Sequence, residues 1–185
     1  MSVAKYLEMG RLGILTKRDR VELIDGILVS KMTKNPPHQV AYDGLIDRFP
    51  RLLPPGWFCR GDCPLRLATS VLEPDFQVVR GSRADYLENH HRPEDVALVI
   101  EVSDSSYAED LKLIPIYAEA RIPTYWIVNI PGNRIEIYSD PTGPDMAPAY
   151  RVRREFGRGD SAAIELPDRE PIRLPVAEIL PAQRP

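Results

Sequence analysis

Two acidic residues stand at the borders of apolar segments that otherwise have the composition of buried strands. Glu101 lies near the end of DVALVIEV (95–102), and Asp75 follows Pro74 directly before FQVVR (76–80). Even an unpaired polar group costs about 2–7 kcal/mol to bury, and an unpaired charge costs more. A carboxylate in such a segment therefore has either a structural partner or a chemical use.

Two carboxylates on neighbouring strands can bind a divalent metal ion. If the strands of Asp75 and Glu101 are adjacent, the two side chains converge at one margin of a sheet, although they are far apart in the chain. Oxygen ligands of this kind suit a hard cation such as Mg²⁺, with Mn²⁺ as an alternative. A bound divalent ion can activate water for attack on phosphorus and neutralise the charge that develops on the phosphate. The pair therefore predicts metal-dependent hydrolysis of a phosphate ester.

Turn residues and apolar periodicity indicate the elements that must position these carboxylates. Asp25-Gly26 between two apolar runs predicts a β-hairpin over residues 20–32. Apolar residues at i, i+3, i+4 and i+7 predict a helix over residues 39–53. A second helical segment is predicted over residues 105–121, with a kink or a late start caused by Pro115.

The remaining apolar segments predict strands. They cover residues 57–61, 64–68, 75–80, 95–102, 124–130, 134–140, 150–156, 162–166 and 170–174. The helical segment between the fourth and fifth of these predicts one crossover connection. This order predicts an α/β fold with a mixed sheet of the α+β kind, and no doubly wound repeat. A chain of 185 residues suits a single domain, predicted here to span residues 1–185.

The composition limits the classes of function. A net charge of −3 argues against a protein that holds nucleic acid by bulk positive charge, although it allows a metal-bridged or locally basic site. Cys59 and Cys63 form no disulfide framework and give a poor zinc signal, so both are expected to be reduced. No apolar run reaches the ~20 residues of a membrane span, and the N-terminus lacks the apolar region of a signal peptide. The expected compartment is the cytoplasm.

Four segments, in the same order, resemble those of the Uma-type putative restriction endonucleases. This family, formerly a domain of unknown function, is a branch of the PD-(D/E)XK nuclease superfamily. The segments are VELIDGILVSKMTKNPPH, LEPDFQVVRG, DVALVIEVSDSS and IPTYWIVN followed by RIEIY. The superfamily signature is a Pro-Asp followed, after about 10 to 30 residues, by Glu-x-Lys. The resemblance implies a restriction-endonuclease-like core, metal-dependent cleavage of DNA and a homodimer. The apolar segment TYWIVNI (124–130) gives a physical hint of a dimer surface.

The resemblance also assigns roles to individual residues. Asp75 and Glu101 would hold the metal ion, helped by the carbonyl of Val102, and Glu22 would complete the acidic set. Ser103 stands where the signature has lysine, and Lys112 on the following helix is the candidate for a displaced lysine. Its cation would steady the attacking water or the phosphate as a point charge. Relatives tend to place this lysine three or four residues after the aspartate that corresponds to Asp110, whereas Lys112 is only two residues beyond it. Each residue of difference on a helix is ~100° of rotation.

Structural alternatives exist for each of these residues. Asp75 could cap a turn, Glu101 could pair with Arg66 or Arg121, and Glu22 could face solvent on the hairpin. If Lys112 points to solvent, a second hypothesis gains weight, namely a nucleic-acid-binding or assembly module that has lost its chemistry.

Several other polar residues have two readings. His38 could act as a general base or could serve in helix initiation and packing. Ser105 or Ser106 could cap the following helix. Arg151 and Arg153 could share one strand face and contact phosphates, or could form a solvated face.

Overall fold

In the computed structural model, which describes residues 1–88 and 90–182, the described chain forms twelve strands and four α-helices. The strands are β1 (Val21–Ile24), β2 (Ile27–Ser30), β3 (Trp57–Gly61), β4 (Leu65–Arg66), β5 (Val71–Leu72), β6 (Phe76–Arg80), β7 (Val96–Ser103), β8 (Thr124–Asn129), β9 (Arg134–Pro141), β10 (Tyr150–Gly157), β11 (Ser161–Ile164) and β12 (Ile172–Pro175). The helices are α1 (Val3–Arg11), α2 (Pro36–Leu52), α3 (Tyr107–Lys112) and α4 (Ile114–Glu119). Short 3-10 turns cover Arg83–Tyr86, Pro93–Asp95 and Val176–Glu178.

A six-stranded mixed sheet with the order β10-β9-β8-β7-β6-β3 carries the candidate site. β7 and β8 are parallel and are joined by α3 and α4, whereas the other neighbours in this sheet are antiparallel. A parallel pair needs such a crossover, because a tight hairpin can join only antiparallel strands. The predicted mixed α/β sheet with a single crossover is confirmed.

Both faces of this sheet are covered, which explains why its central strands are apolar along their whole length. One face packs against α2 and the β11–β12 pair, through residues such as Phe49, Trp126 and Leu174. The other face packs against α3, α4 and the strands β4 and β5, through residues such as Tyr117 and Leu72. β4 and β5 belong to a second sheet with the order β2-β1-β5-β4.

The N-terminal hairpin has the predicted register. Ile24 pairs with Ile27 across Asp25-Gly26, and both turn residues have positive φ angles of 45° and 78°. A two-residue turn of this kind requires that backbone conformation, which aspartate and glycine adopt more readily than most residues. The hairpin holds Glu22 on β1 and directs the segment after β2 towards the six-stranded sheet.

The helices differ from the predictions at their ends. α2 begins at Pro36, because the side chain of Asn35 accepts a hydrogen bond from the N–H of His38 and prolines suit the first helical positions. The second predicted helix is divided into α3 and α4 at Leu113, two residues before Pro115, which lacks a backbone donor. α1 and β5 had no predicted counterpart.

The apolar segment that suggested a dimer surface lies in the centre of the sheet. β8 pairs with β7 on one side and β9 on the other, and all six of its residues are buried. This strand is therefore unavailable to a partner chain, and that physical hint of a dimer was wrong. Among the described helices, none is long and apolar enough to cross a membrane.

Candidate active site

Asp75 and Glu101 meet at one margin of the six-stranded sheet. Phe76 on β6 pairs with Ile100 on β7, so the next antiparallel step places Asp75 beside Glu101. The backbone N–H of Asp75 donates a hydrogen bond of 3.2 Å to Oε2 of Glu101. Both residues are only 8% exposed. The convergence expected from the two strand ends is thus present in the structure.

The carboxylate of Asp75 is held from three sides. Its Oδ2 accepts a 2.8 Å hydrogen bond from the N–H of Val102 and contacts Nε2 of His38 at 2.9 Å. Its Oδ1 lies 2.8 Å from Nζ of Lys34. These partners come from β7, α2 and the loop between β2 and α2, so Asp75 does more than cap a local turn.

Glu22 occupies the same region from the hairpin side. Its Oε1 accepts a 2.6 Å hydrogen bond from the N–H of Glu73 and lies 3.1 Å from Nζ of Lys31. The ammonium of Lys31 also contacts the Glu73 carbonyl at 3.0 Å and Oε2 of Glu73 at 3.3 Å. Glu22 is therefore directed inwards rather than towards solvent.

The start of the crossover contributes a further buried carboxylate, that of Asp110. Oδ2 of Asp110 accepts hydrogen bonds from the hydroxyls of Ser103 and Ser106, the latter at 2.8 Å. Ser105 and Ser106 were the two predicted capping residues, and Ser106 is the N-cap residue of α3. Its hydroxyl donates to Asp110, however, and accepts no hydrogen bond from a backbone N–H of the helix. Ser103, at the position of the signature lysine, is thereby committed to Asp110.

Lys112 points away from this cluster. Its side chain is 74% exposed, its Nζ lies 4.0 Å from Oε1 of Glu109, and it lines a neighbouring apolar cavity instead. Asp110 faces the sheet, and Lys112 follows it by two residues on the same helix. Two residues are ~200° of rotation, so the Lys112 side chain leaves the opposite side of the helix. Leu113 takes the inward direction. The structure thus brings Glu22, Asp75 and Glu101 together and leaves Lys112 apart from them, and its catalytic role stays a prediction.

The alternative partners of Glu101 are not used. Oε1 of Glu101 accepts a 2.9 Å hydrogen bond from the hydroxyl of Tyr117, and the described part of the chain shows no arginine in contact with it. Arg121 instead donates to the carbonyl of Gly143. The structural alternative, in which Glu101 pairs with an arginine such as Arg66 or Arg121, is therefore not supported.

Burial and neighbouring charges divide the acids into two groups. Burial, followed by the charges of Asp75, Asp110 and Glu22, raises the pKa of Glu101 well above its usual range. Burial also opposes ionisation of Asp75, yet the hydrogen bond to His38 and the charge of Lys34 hold the pKa of that carboxyl below its usual value. Of the two carboxyls, Asp75 is therefore the more acidic.

The surrounding groups follow the same logic. Burial raises the pKa of Glu22 despite the nearby charge of Lys31. Burial raises the pKa of Asp110 to about 6, although the two serine hydroxyls act in the opposite direction. Burial opposes the charge of Lys31 and of Lys34, but the adjacent carboxylates raise the pKa of both ammonium groups. The cluster has more negative than positive groups, so an added cation would be stabilised there.

Two adjoining hollows give access to these residues. The first, here called the acidic cavity, has a volume of about 130 Å³. Its charged lining consists of Glu22, Lys31, Lys34, Glu73, Asp75, Glu101, Asp104, Glu109 and Asp110, with His38 beside them. The second, here called the basic groove, measures about 500 Å³, and its charged lining consists of Lys17, Arg20, Lys31, Lys34, Asp62 and Glu73. Lys31 and Lys34 line both.

The donor set of the acidic cavity fits a hard divalent cation. Asp75 and Glu101 offer carboxylate oxygens within one cavity, and burial together with the neighbouring acids raises the pKa of Glu101, so a cation there would offset unfavourable negative charge. Within residues 1–88 and 90–182, no group of three or more histidine, cysteine or acidic side chains is placed to enclose a metal ion. Magnesium needs no such group, since it usually keeps several waters and binds through one or two carboxylates together with substrate phosphates.

Comparison with known proteins decides the family. A family model described as "Uma2: Putative restriction endonuclease" matches residues 3–176. The chain belongs to this family. No curated protein matches the chain significantly. Among the solved structures that match is "a putative nuclease belonging to DUF820" from Anabaena variabilis, with a TM-score of 0.69, 15% sequence identity and 97% of each chain covered. At that identity the likeness shows a common fold.

Three residues lie near the acids of this Uma2 member that sequence analysis did not assign to the site. Two are lysines that were not predicted at all, and the third is a histidine for which two roles were open. Lys31 and Lys34 were not singled out, because they lie in a segment after β2 without periodicity, and only the fold brings them to the acids. One local signal existed, because both lysines lie between the hairpin that carries Glu22 and helix α2. His38 had two readings, and the structure buries it against Asp75.

Proposed function

We propose that this chain is a divalent-metal-dependent endonuclease that hydrolyses phosphodiester bonds of DNA. The observation that supports the proposal is the convergence of Asp75 and Glu101 in one cavity with Glu22 and two lysines. In the proposal Asp75 and Glu101 hold Mg²⁺ or Mn²⁺, helped by the Val102 carbonyl. A divalent ion bound there would supply a water of lowered pKa and neutralise charge on the phosphate.

The residues around the two acids keep them in position. The N–H of Val102 and the imidazole of His38 fix Oδ2 of Asp75, and the Tyr117 hydroxyl fixes Oε1 of Glu101. Glu22 completes the acidic set from the hairpin side. Because these contacts come from buried groups, the carboxylates are oriented before any ligand arrives, which is the condition for efficient electrostatic catalysis.

We assign to Lys31 the point charge that the family resemblance gives to Lys112. Lys31 lies 3.1 Å from Glu22 inside the acidic cavity, whereas the Lys112 side chain is 74% exposed. The two assignments are separated by cleavage assays on Lys31→Met and Lys112→Met. A large loss of rate in the first variant alone supports Lys31, and a large loss in the second alone supports Lys112.

A binding or assembly module without chemistry is the second candidate. The observation in its favour is that Ser103 holds the signature-lysine position and is committed to Asp110, while Lys112 faces solvent. This candidate predicts DNA binding without cleavage. In either case we propose a homodimer, for which the resemblance is the support, and light scattering of the purified protein measures that state directly.

The decisive experiment is plasmid and labelled-duplex cleavage by purified protein with Mg²⁺, Mn²⁺ or EDTA. We expect wild type and Asp47→Asn, a control at an exposed acid on α2, to cleave with metal and to be inactive in EDTA. We expect Asp75→Asn and Glu101→Gln to be inactive. Equal cleavage by wild type and Asp75→Asn would mean that the activity is a contaminant or that the assignment of Asp75 is wrong. Binding without cleavage would favour the second candidate. A labelled RNA of the same sequence tests the DNA preference.

A further inference from the structure

The oxygens of Asp75 and Glu101 differ in what holds them. Oδ2 of Asp75 is bound by a backbone N–H and by a buried imidazole, and Oε2 and Oε1 of Glu101 are bound by a backbone N–H and a buried tyrosine. Oδ1 of Asp75 differs, because its partner in the described part of the chain is a lysine side chain, that of Lys34 at 2.8 Å. Of the four oxygens, it is the one held by a flexible group.

Lys34 has a second anchor outside the acidic cavity. Its Nζ lies 2.6 Å from Oδ1 of Asp62 and 5.2 Å from the centre of the Tyr42 ring. Asp62 lines the basic groove, and Lys34 lines both hollows. The lysine belongs to the segment between β2 and α2, which has no regular secondary structure. The ammonium can therefore leave Asp75 while it keeps the charge of Asp62 and the face of Tyr42.

We infer that Lys34 is an exchangeable counter-cation of Asp75, which contacts Oδ1 in the structure and withdraws towards Asp62 when a divalent cation binds. The inference rests on the proposed function, because it takes Asp75 as a metal ligand. An ammonium and a divalent cation repel each other at one oxygen, so both cannot stay there. The divalent ion brings twice the charge of an ammonium to a cluster of four carboxyls, three of them buried, and the displaced lysine keeps Asp62 as its partner.

This exchange makes metal affinity depend on two residues in opposite directions. Removal of the Lys34 charge abolishes the competitor, so Lys34→Met is expected to bind Mn²⁺ about tenfold more tightly than wild type. Removal of the second anchor leaves Asp75 as the remaining carboxylate partner of Lys34, so Asp62→Asn is expected to bind Mn²⁺ more weakly. Asparagine suits the position, because residue 62 has a φ of 46° and asparagine tolerates that conformation.

The test is calorimetric titration of Mn²⁺ into full-length protein without nucleic acid. The variants are Lys34→Met, Lys34→Gln as a second neutral form, Asp62→Asn and Asp75→Asn, with Lys5→Met as a control for the loss of an exposed lysine. Circular dichroism of each variant establishes that it is folded. The expected order of affinity is Lys34→Met and Lys34→Gln above wild type and Lys5→Met, then Asp62→Asn, with Asp75→Asn abolishing binding.

The two proposals fail in different ways. Binding that is lost in Asp75→Asn but is equal or weaker in both Lys34 variants would overturn the exchange and leave the metal site intact. Wild-type binding that is absent, or that persists in Asp75→Asn, would overturn the metal site and the exchange together.

Discussion

Two buried glutamates in neighbouring parts of one sheet have opposite electrostatic surroundings. Glu101 on β7 and Glu136 on β9 both align with Ile127 on the strand between them, so the two side chains lie in one row across the same face. Both stand within apolar strand segments. Burial and the charges of neighbouring acids raise the pKa of Glu101 well above its usual range. The pKa of Glu136 is lowered to about 2.

The partners of the two carboxylates explain this difference. Burial works against the charge of Glu136, but it accepts hydrogen bonds from Arg153, Asn129, Tyr107 and Tyr138, and Arg134 lies 2.9 Å away. Glu101 accepts one hydrogen bond from a hydroxyl and one from a backbone N–H, and its charged neighbours include other acids. A buried charge with a full set of partners is a structural element. A buried acid that lacks a cation is typical of a functional site.

The largest expected difference between the two glutamates is in catalysis. Glu101→Gln is expected to lower the rate of metal-dependent cleavage by about a thousandfold or more, because it removes a proposed metal ligand. Glu136→Gln is expected to retain cleavage within a few-fold at a temperature where it is folded. Initial rates on a labelled duplex with Mn²⁺ measure both. Similar losses of rate in the two variants would contradict the claim that Glu101, and not Glu136, acts in catalysis.

The order is expected to reverse for stability at pH 7. Glu136→Gln leaves two arginines without their shared buried carboxylate and should lower the free energy of unfolding by about 2–3 kcal/mol. Glu101→Gln relieves repulsion among neighbouring acids, so we expect stability that is unchanged or higher by up to about 1 kcal/mol. Urea denaturation followed by tryptophan fluorescence gives both values. A larger loss in Glu101→Gln would contradict the assignment of Glu136 as the structural acid.

The pH dependence of stability should carry the signature of Glu136. Its folded-state pKa of about 2 is below the usual value of 4.5, so its contribution is complete above about pH 4.5 and is lost as the pH falls towards 2. The shift corresponds to about 2–3 kcal/mol after allowance for the partly exposed arginines. Unfolding curves of wild type and Glu136→Gln should therefore converge as the pH falls from 4.5 to 2. A constant difference over that range would disprove the depressed pKa.

The sequence supported the position of Glu101 but could not separate it from Glu136. LVIEV and RIEIY are similar strings, and the partners that distinguish the two glutamates come from other elements, such as Tyr107 on α3 and Arg153 on β10. The succession of most strands along the chain, the hairpin at Asp25-Gly26 and the crossover followed from local turn residues and apolar runs, whereas the order of the strands within the sheets did not.

The missed elements lacked that local signal or were overlooked. β5 has two residues, Val71 and Leu72, which is too short for periodicity to show. α1 does have an apolar face, since Val3, Tyr6 and Leu7 pack together against β1 and β5. The lysines of the site lie in an irregular segment, and their direction depends on long-range contacts with Asp62, Asp75 and Glu73.

The smallest expected effect is on DNA binding, and it compares the cations of the basic groove with the arginines on β9 and β10. Arg134, Arg151 and Arg153 form ion pairs with Glu136, Asp140 and Glu155, so the positive charge of these three arginines is already offset. The basic groove has four cations and two acids along its lining. We therefore expect DNA phosphates to contact the groove and not the β9–β10 arginines, contrary to the phosphate-binding reading of Arg151 and Arg153.

Lys17→Gln and Arg151→Gln test this contrast as a matched pair, because both residues are exposed. Binding of a labelled duplex is measured in EDTA by fluorescence anisotropy at several salt concentrations. Each lost phosphate contact reduces the slope of log K against log salt by about 0.9. We expect that reduction for Lys17→Gln and an unchanged slope for Arg151→Gln. The reverse result would place the DNA backbone along β10, on the side of the sheet where Glu136 has its partners, and would make the arginines there part of the substrate surface.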